Sequence, residues 1–80
     1  MDIDLARDMI RTAFRSSDEL QAFFPVLKQR CPAQEYHDLS RGIAAALDAI
    51  GVALINKALA AYPELNAEVE ASISKHGRYL

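Results

Sequence analysis

From Ala33 to Tyr62, between Pro32 and Pro63, the chain contains no proline, and its apolar residues recur at three- and four-residue spacing throughout. That pattern predicts one helix over 33–61, about 29 residues and about 44 Å at 1.5 Å per residue. In an 80-residue chain such a rod takes more than a third of the polypeptide, and every other element must be arranged around it. On a wheel of about 100° per residue, Tyr36, Leu39, Ile43, Leu47, Ile50, Leu54, Ala58 and Ala61 share one face. In the second half a further apolar stripe appears, made of Val52, Ile55, Leu59 and Tyr62, where the first half carries His37, Arg41 and Asp48. The helix is therefore one-faced early and nearly two-faced late.

The flanking segments also read as helices, and no stretch alternates with period two long enough to suggest a strand. A first helix is expected over about 3–15, with Ile3, Ala6, Ile10, Ala13 and Phe14 on its apolar face and Met9 at the edge. Ser16-x-x-Glu19 has the form of a capping box, which predicts a new helix start near Ser17. That second helix is expected over 17–30, kinked at Pro25 because proline removes a backbone donor and disfavours helical geometry at Phe24. A fourth helix follows Pro63, over 64–76, with Leu65, Val69 and Ile73 as its apolar row and Gly77 as its stop. The expectation is a single all-α domain over 1–80, a four-helix bundle with a long central third helix.

Helix lengths then constrain how the rod is covered. Helices of about 20 Å over 3–15 and 17–30 reach only its first half. The last helix covers one side of the second half, leaving the stripe Val52, Ile55, Leu59 and Tyr62 as a candidate interface. Exposing such a strip in water is unfavourable, and a chain this small has a thin core to begin with. One cysteine, Cys31, cannot staple it internally. Self-association as a homodimer is the remaining device, unless a break near Gly51 turns the stripe onto the chain's own core. Gly51 itself, beside the main apolar face, is expected to allow a close helix approach.

Composition narrows the function classes. Nine Lys and Arg against eleven Asp and Glu give a net charge of −2, so the basic surplus of a general nucleic-acid binder is absent. Arg7, Arg11 and Arg15 form a row that could hold phosphate, but the interleaved Asp4 and Asp8 make it read as a solvated ion-pair face. The longest uncharged stretch late in the rod, Ala49 to Asn56, is far shorter than the roughly 20 residues of a membrane span, so no membrane role is expected. The lone thiol, with no export signal at Met1-Asp2-Ile3-Asp4, leads us to expect a cytoplasmic, soluble protein.

Chemistry-bearing patterns are sparse. Cys31, Glu35, His37 and Asp38 lie near one another, but no second histidine sits one turn away, so no metal site and no cofactor are expected. Cys31 lies near a helix start, which lowers a thiol pKa; with no paired histidine it reads as incidental. Gly42, Gly51 and Gly77 are isolated and form no phosphate-cradling loop. Phe23, Phe24 and Leu27 at the proline kink are a candidate pocket for a small apolar ligand. The expected function is a non-enzymatic protein-interaction module, a regulator, adaptor or accessory subunit, working as a homodimer with an unidentified protein partner as a further option. A small-ligand binder, and then a nucleic-acid contact through Arg7, Arg11 and Arg15, are the alternatives.

Overall fold

The computed structural model describes all residues from Met1 to Leu80 and contains helices and turns only, 85% of the chain being helical. α1 spans Ile3–Ala22, α2 Phe24–Arg30, α3 Ala33–Ile50, α4 Asn56–Ala61 and α5 Leu65–His76, with a π-helical segment, Gly51–Ile55, joining α3 to α4. Backbone angles stay helical across both junctions, so α3, the π segment and α4 form one unbroken long helix over Ala33–Ala61. The all-α expectation holds. The bundle is built of three helical bodies, not four: α1 with its short extension α2, the long helix, and α5.

The capping-box expectation is corrected. α1 starts at Asp2, whose Oδ1 accepts from the Leu5 amide at 2.7 Å, and it runs straight through Ser16 and Ser17 to Ala22. A capping serine must sit in extended backbone, and nothing between Ala13 and Leu20 breaks the helix. Ala6, Ile10, Ala13, Ser17 and Leu20 continue at helical spacing along the shielded side. The break comes instead at Phe23, where Pro25 occupies the first turn of α2 and removes a donor there that needs no partner.

A 20-residue α1 reaches farther than a 13-residue one. It packs against α3, the π segment and α4 alike, while α2 covers the start of α3. The Tyr62 hydroxyl donates to the carbonyl of Met1 at 2.6 Å, pinning the chain's start to the end of the long helix. The second half of the long helix is thus covered by α1, against the expectation that only its first half would be. After Pro63 the chain turns, and α5 lays Leu65 and Val69 into a core shared with Ala6, Ile10, Ala58 and Tyr79. Gly77 adopts φ 76°, the left-handed conformation that glycine takes without a side-chain clash, and it folds Arg78–Leu80 back along the bundle.

The outcome is thin and elongated, 44 × 25 × 15 Å across its principal axes. Its radius of gyration is 14.9 Å, where a compact 80-residue domain has about 12 Å. Of the 29 residues of the long helix, Ala58 alone is buried.

Candidate functional site

The π segment decides which apolar residues of the long helix remain open. The shielded residues run Tyr36, Ser40, Ile43, Leu47, Ile50 and Gly51, and continue through Ile55, Ala58, Leu59 and Tyr62. An uninterrupted α-helix would have stepped to Leu54 and Ala61. One extra residue in the turn advances the register, moving Ile55, Leu59 and Tyr62 to the inner side and leaving Leu54 and Ala61 exposed. Leu59 and Tyr62 pack against the core, Ile55 is half-buried, and only Val52 stays fully out, at 60% exposure. The four residues expected to make an interface are therefore not on one open face.

What is open lies on the other side. Leu39, Gly42, Ala46, Ala49 and Ala53 follow one another at three- and four-residue spacing, all exposed, with Val52 and Leu54 beside the end of the row. Leu39 is 43% and Leu54 37% exposed. The row itself carries no charge; Glu35 and Lys57 continue it at four-residue spacing beyond Leu39 and Ala53, Asp38 stands one turn before Gly42, and Arg41 and Asp48 lie off it. By length and composition alone this helix is long and apolar enough to cross a membrane, although Asp48 and Lys57 interrupt it. Within the chain no side chain packs on Gly51, since a Cβ built there meets nothing within 4 Å.

Phe23, Phe24 and Leu27 part company. Phe23 is 48% exposed at the break between α1 and α2, Phe24 is half-buried, and Leu27 is buried. None of the three lines a concavity; the clefts of the molecule lie along α1 and the C-terminal segment. Cys31 contacts Glu35, Sγ to Oε1 3.8 Å. Burial, followed by the Glu35 carboxylate, pushes its thiol pKa up, against the lowering expected from a helix start. No three His, Cys, Asp or Glu side chains gather where a metal ion could sit.

A connected polar cluster ties α1, α5 and the C-terminal segment together. Arg7 Nε donates to both oxygens of Glu68 at 3.2 and 3.0 Å, and its Nη1 reaches Asp4 at 3.0 Å. The Tyr79 hydroxyl donates to Glu68 Oε2 at 2.7 Å. The Arg11 guanidinium lies 4.8 Å from the centre of the Tyr79 ring, a cation–π distance, and Nη2 donates to the carbonyl oxygen of Leu80 at 3.0 Å. Its Nη1 pairs loosely with Asp8 at 3.5 Å. Ser72 closes the segment, donating to the Arg78 carbonyl and accepting from the Leu80 amide.

These contacts set the ionisation of their members. The Tyr79 hydroxyl, and then the Arg7 guanidinium, hold the Glu68 carboxyl below the ordinary carboxylate range. Burial, reinforced by donation to Glu68, pushes the Tyr79 phenol above its usual value. The hydrogen bond to Glu68 raises Arg7 in turn. Of the arginine row, Arg7 and Arg11 are ion-paired as expected and Arg15 is not. Glu68 and Tyr79 had no visible role in the sequence. Glu68 reads as a helix-dipole acid, and Tyr79, beyond the stop at Gly77, belongs to no periodic pattern.

Comparison with protein-family models, with curated proteins and with solved structures finds no match to this chain.

Proposed function

We propose that this protein is a non-enzymatic helical interaction module that works as a homodimer, pairing through the exposed row Leu39, Gly42, Ala46, Ala49 and Ala53. The observation that carries the reading is a 29-residue apolar helix with a single buried residue. The surface area supports it. The chain exposes 5579 Å², whereas a compact monomer of 8.8 kDa exposes about 4,800 Å². The excess of about 800 Å² matches what each partner contributes to an interface of standard size. A second copy offers the same uncharged row, and a two-fold arrangement covers both at once. The small residues let two helix backbones approach closely. A lone, partly shielded thiol accords with a reducing, cytoplasmic setting.

Thermal unfolding tests this directly, because a melting temperature coupled to association rises with protein concentration. We expect Tm to climb across two decades of concentration in the wild type. A Tm that stays constant over that range contradicts the homodimer.

A further inference from the structure

We propose that the long helices of the homodimer pair antiparallel, Glu35 of each copy facing the partner's Lys57. This direction of pairing rests on the proposed homodimer and goes one step beyond it. Glu35 and Lys57 close the exposed row at opposite ends, one four residues before Leu39 and the other four after Ala53. They are of opposite sign, both are exposed, and neither has an ion-pair partner within the chain. The π segment contributes to that placement. A seven-residue repeat running through Gly42 and Ala49 would reach Asn56 next, and the extra residue in the turn brings Lys57 onto the row instead.

The direction of pairing decides which residues meet. The row is symmetric in spacing about Ala46, with Glu35 and Lys57 eleven residues to either side and Leu39 and Ala53 seven. A two-fold axis at Ala46 therefore sets Leu39 against the partner's Ala53 and Gly42 close to the partner's Ala49. The larger side chain of each copy meets a small one, and an ion pair closes each end. In a parallel pair every residue meets its own copy. Glu35 then faces the partner's Glu35, Lys57 the partner's Lys57 and Leu39 the partner's Leu39, and the like charges repel. Asp38, one turn before Gly42 at the edge of the row, adds a third like-charge contact in that arrangement. In the antiparallel pair its two copies stand about 24 Å apart along the helix axis.

Sedimentation equilibrium at low salt, where exposed charges are least screened, gives the dissociation constant of the full-length dimer. Glu35→Lys and Lys57→Glu each place like charges at both ends of an antiparallel pair, and each should weaken association by about fivefold or more. The double variant Glu35→Lys/Lys57→Glu restores both ion pairs and should return to within about twofold of wild type. In a parallel pair each single reversal only exchanges one like-charge contact for another, so the dissociation constant would not move. The second measurement is the distance between spin labels on Gln34→Cys in a Cys31→Ser background, read by pulsed electron paramagnetic resonance. Gln34 is exposed near the start of the long helix. Antiparallel pairing puts its two backbone positions about 36 Å apart along the axis, and parallel pairing brings them within about 10 Å, the spacing of packed helices. A short distance, or dissociation constants indifferent to the single reversals, overturns the antiparallel direction and leaves the homodimer standing. A wild-type chain that is monomeric at every concentration overturns both.

Discussion

The phenol of Tyr79 donates a 2.7 Å hydrogen bond to the Glu68 carboxylate, joining a residue beyond the last helix to that helix's first half. Arg7 meets the same carboxylate from α1, 61 residues away, so one acidic side chain links α1, α5 and the C-terminal segment. This hydrogen bond and ion pair are made with Glu68 ionised and Tyr79 protonated.

That dependence makes stability fall at both ends of the pH scale. Glu68 has its pKa lowered on folding, so its contribution is fully present above the unfolded value of about 4.5 and is lost as pH falls below it through the folded value. Tyr79 has its pKa raised, so its contribution is present below about 10 and is lost as pH rises through the folded value. Thermal melts from pH 3 to 11 should show a plateau with a decline on each side. Tyr79→Phe should remove the alkaline decline attributable to this residue and cost about 1 kcal/mol in the plateau. An unchanged alkaline limb in that variant would place the titration elsewhere.

Leu54 and Ile55 are adjacent in sequence and differ in environment because of the π segment. Ile55→Glu buries a charge on the inner side and should destabilise the fold by about 2–4 kcal/mol, visible as loss of helicity near room temperature. Leu54→Glu should leave the helical signal of the folded protein intact while abolishing association. Equal effects of the two substitutions would mean that the register does not shift at Gly51–Ile55.

Gly51 occupies an ordinary helical conformation, φ −60° and ψ −50°, with open space where a side chain would go. Gly51→Ala should therefore stabilise the protein by about 0.5–1 kcal/mol through the unfolded chain's lost freedom, raising Tm by about 2–8 °C for a domain of this size. A lowered Tm would show that another surface packs on this residue.

Ser40 lies in the shielded row of α3, and its hydroxyl is buried without a hydrogen-bond partner. Ser40→Ala is expected to be neutral or to stabilise by about 1 kcal/mol, since it removes an unsatisfied polar group. A loss of more than about 1 kcal/mol on chemical denaturation would reveal a partner for that hydroxyl.

Much of the fold was legible in local chemistry. Pro32 and Pro63 bracket the long helix, Gly77 stops the last one, and the apolar face Ile3, Ala6, Ile10, Ala13 and Phe14 packs where its spacing says it should. Ser16-x-x-Glu19 misled because a capping box is a pattern of side chains, while a cap also needs the backbone to leave the helix, and no residue there makes it do so. The π step was not legible as such; it showed as a helix two-faced after Gly51, with a break near Gly51 that turns the stripe onto the core as the alternative reading. The π segment turns Leu59 and Tyr62 inward without breaking the helix. Two apolar stripes about 100° apart are what a one-residue register shift looks like when read on a regular wheel. Tyr79 and Glu68 were invisible for a different reason, because their pairing is made by the chain reversal at Gly77 and by the reach of Arg7, neither of which leaves a periodic trace.

Sedimentation equilibrium on the wild type and on Leu54→Glu, with and without lipid vesicles, tests the central proposal of pairing through the open face of the long helix. The wild type should approach twice its 8.8 kDa chain mass at micromolar concentration and ignore the vesicles, and Leu54→Glu should sediment as a folded monomer. A wild-type mass of 8.8 kDa at every concentration, or its depletion onto the vesicles, would contradict that proposal.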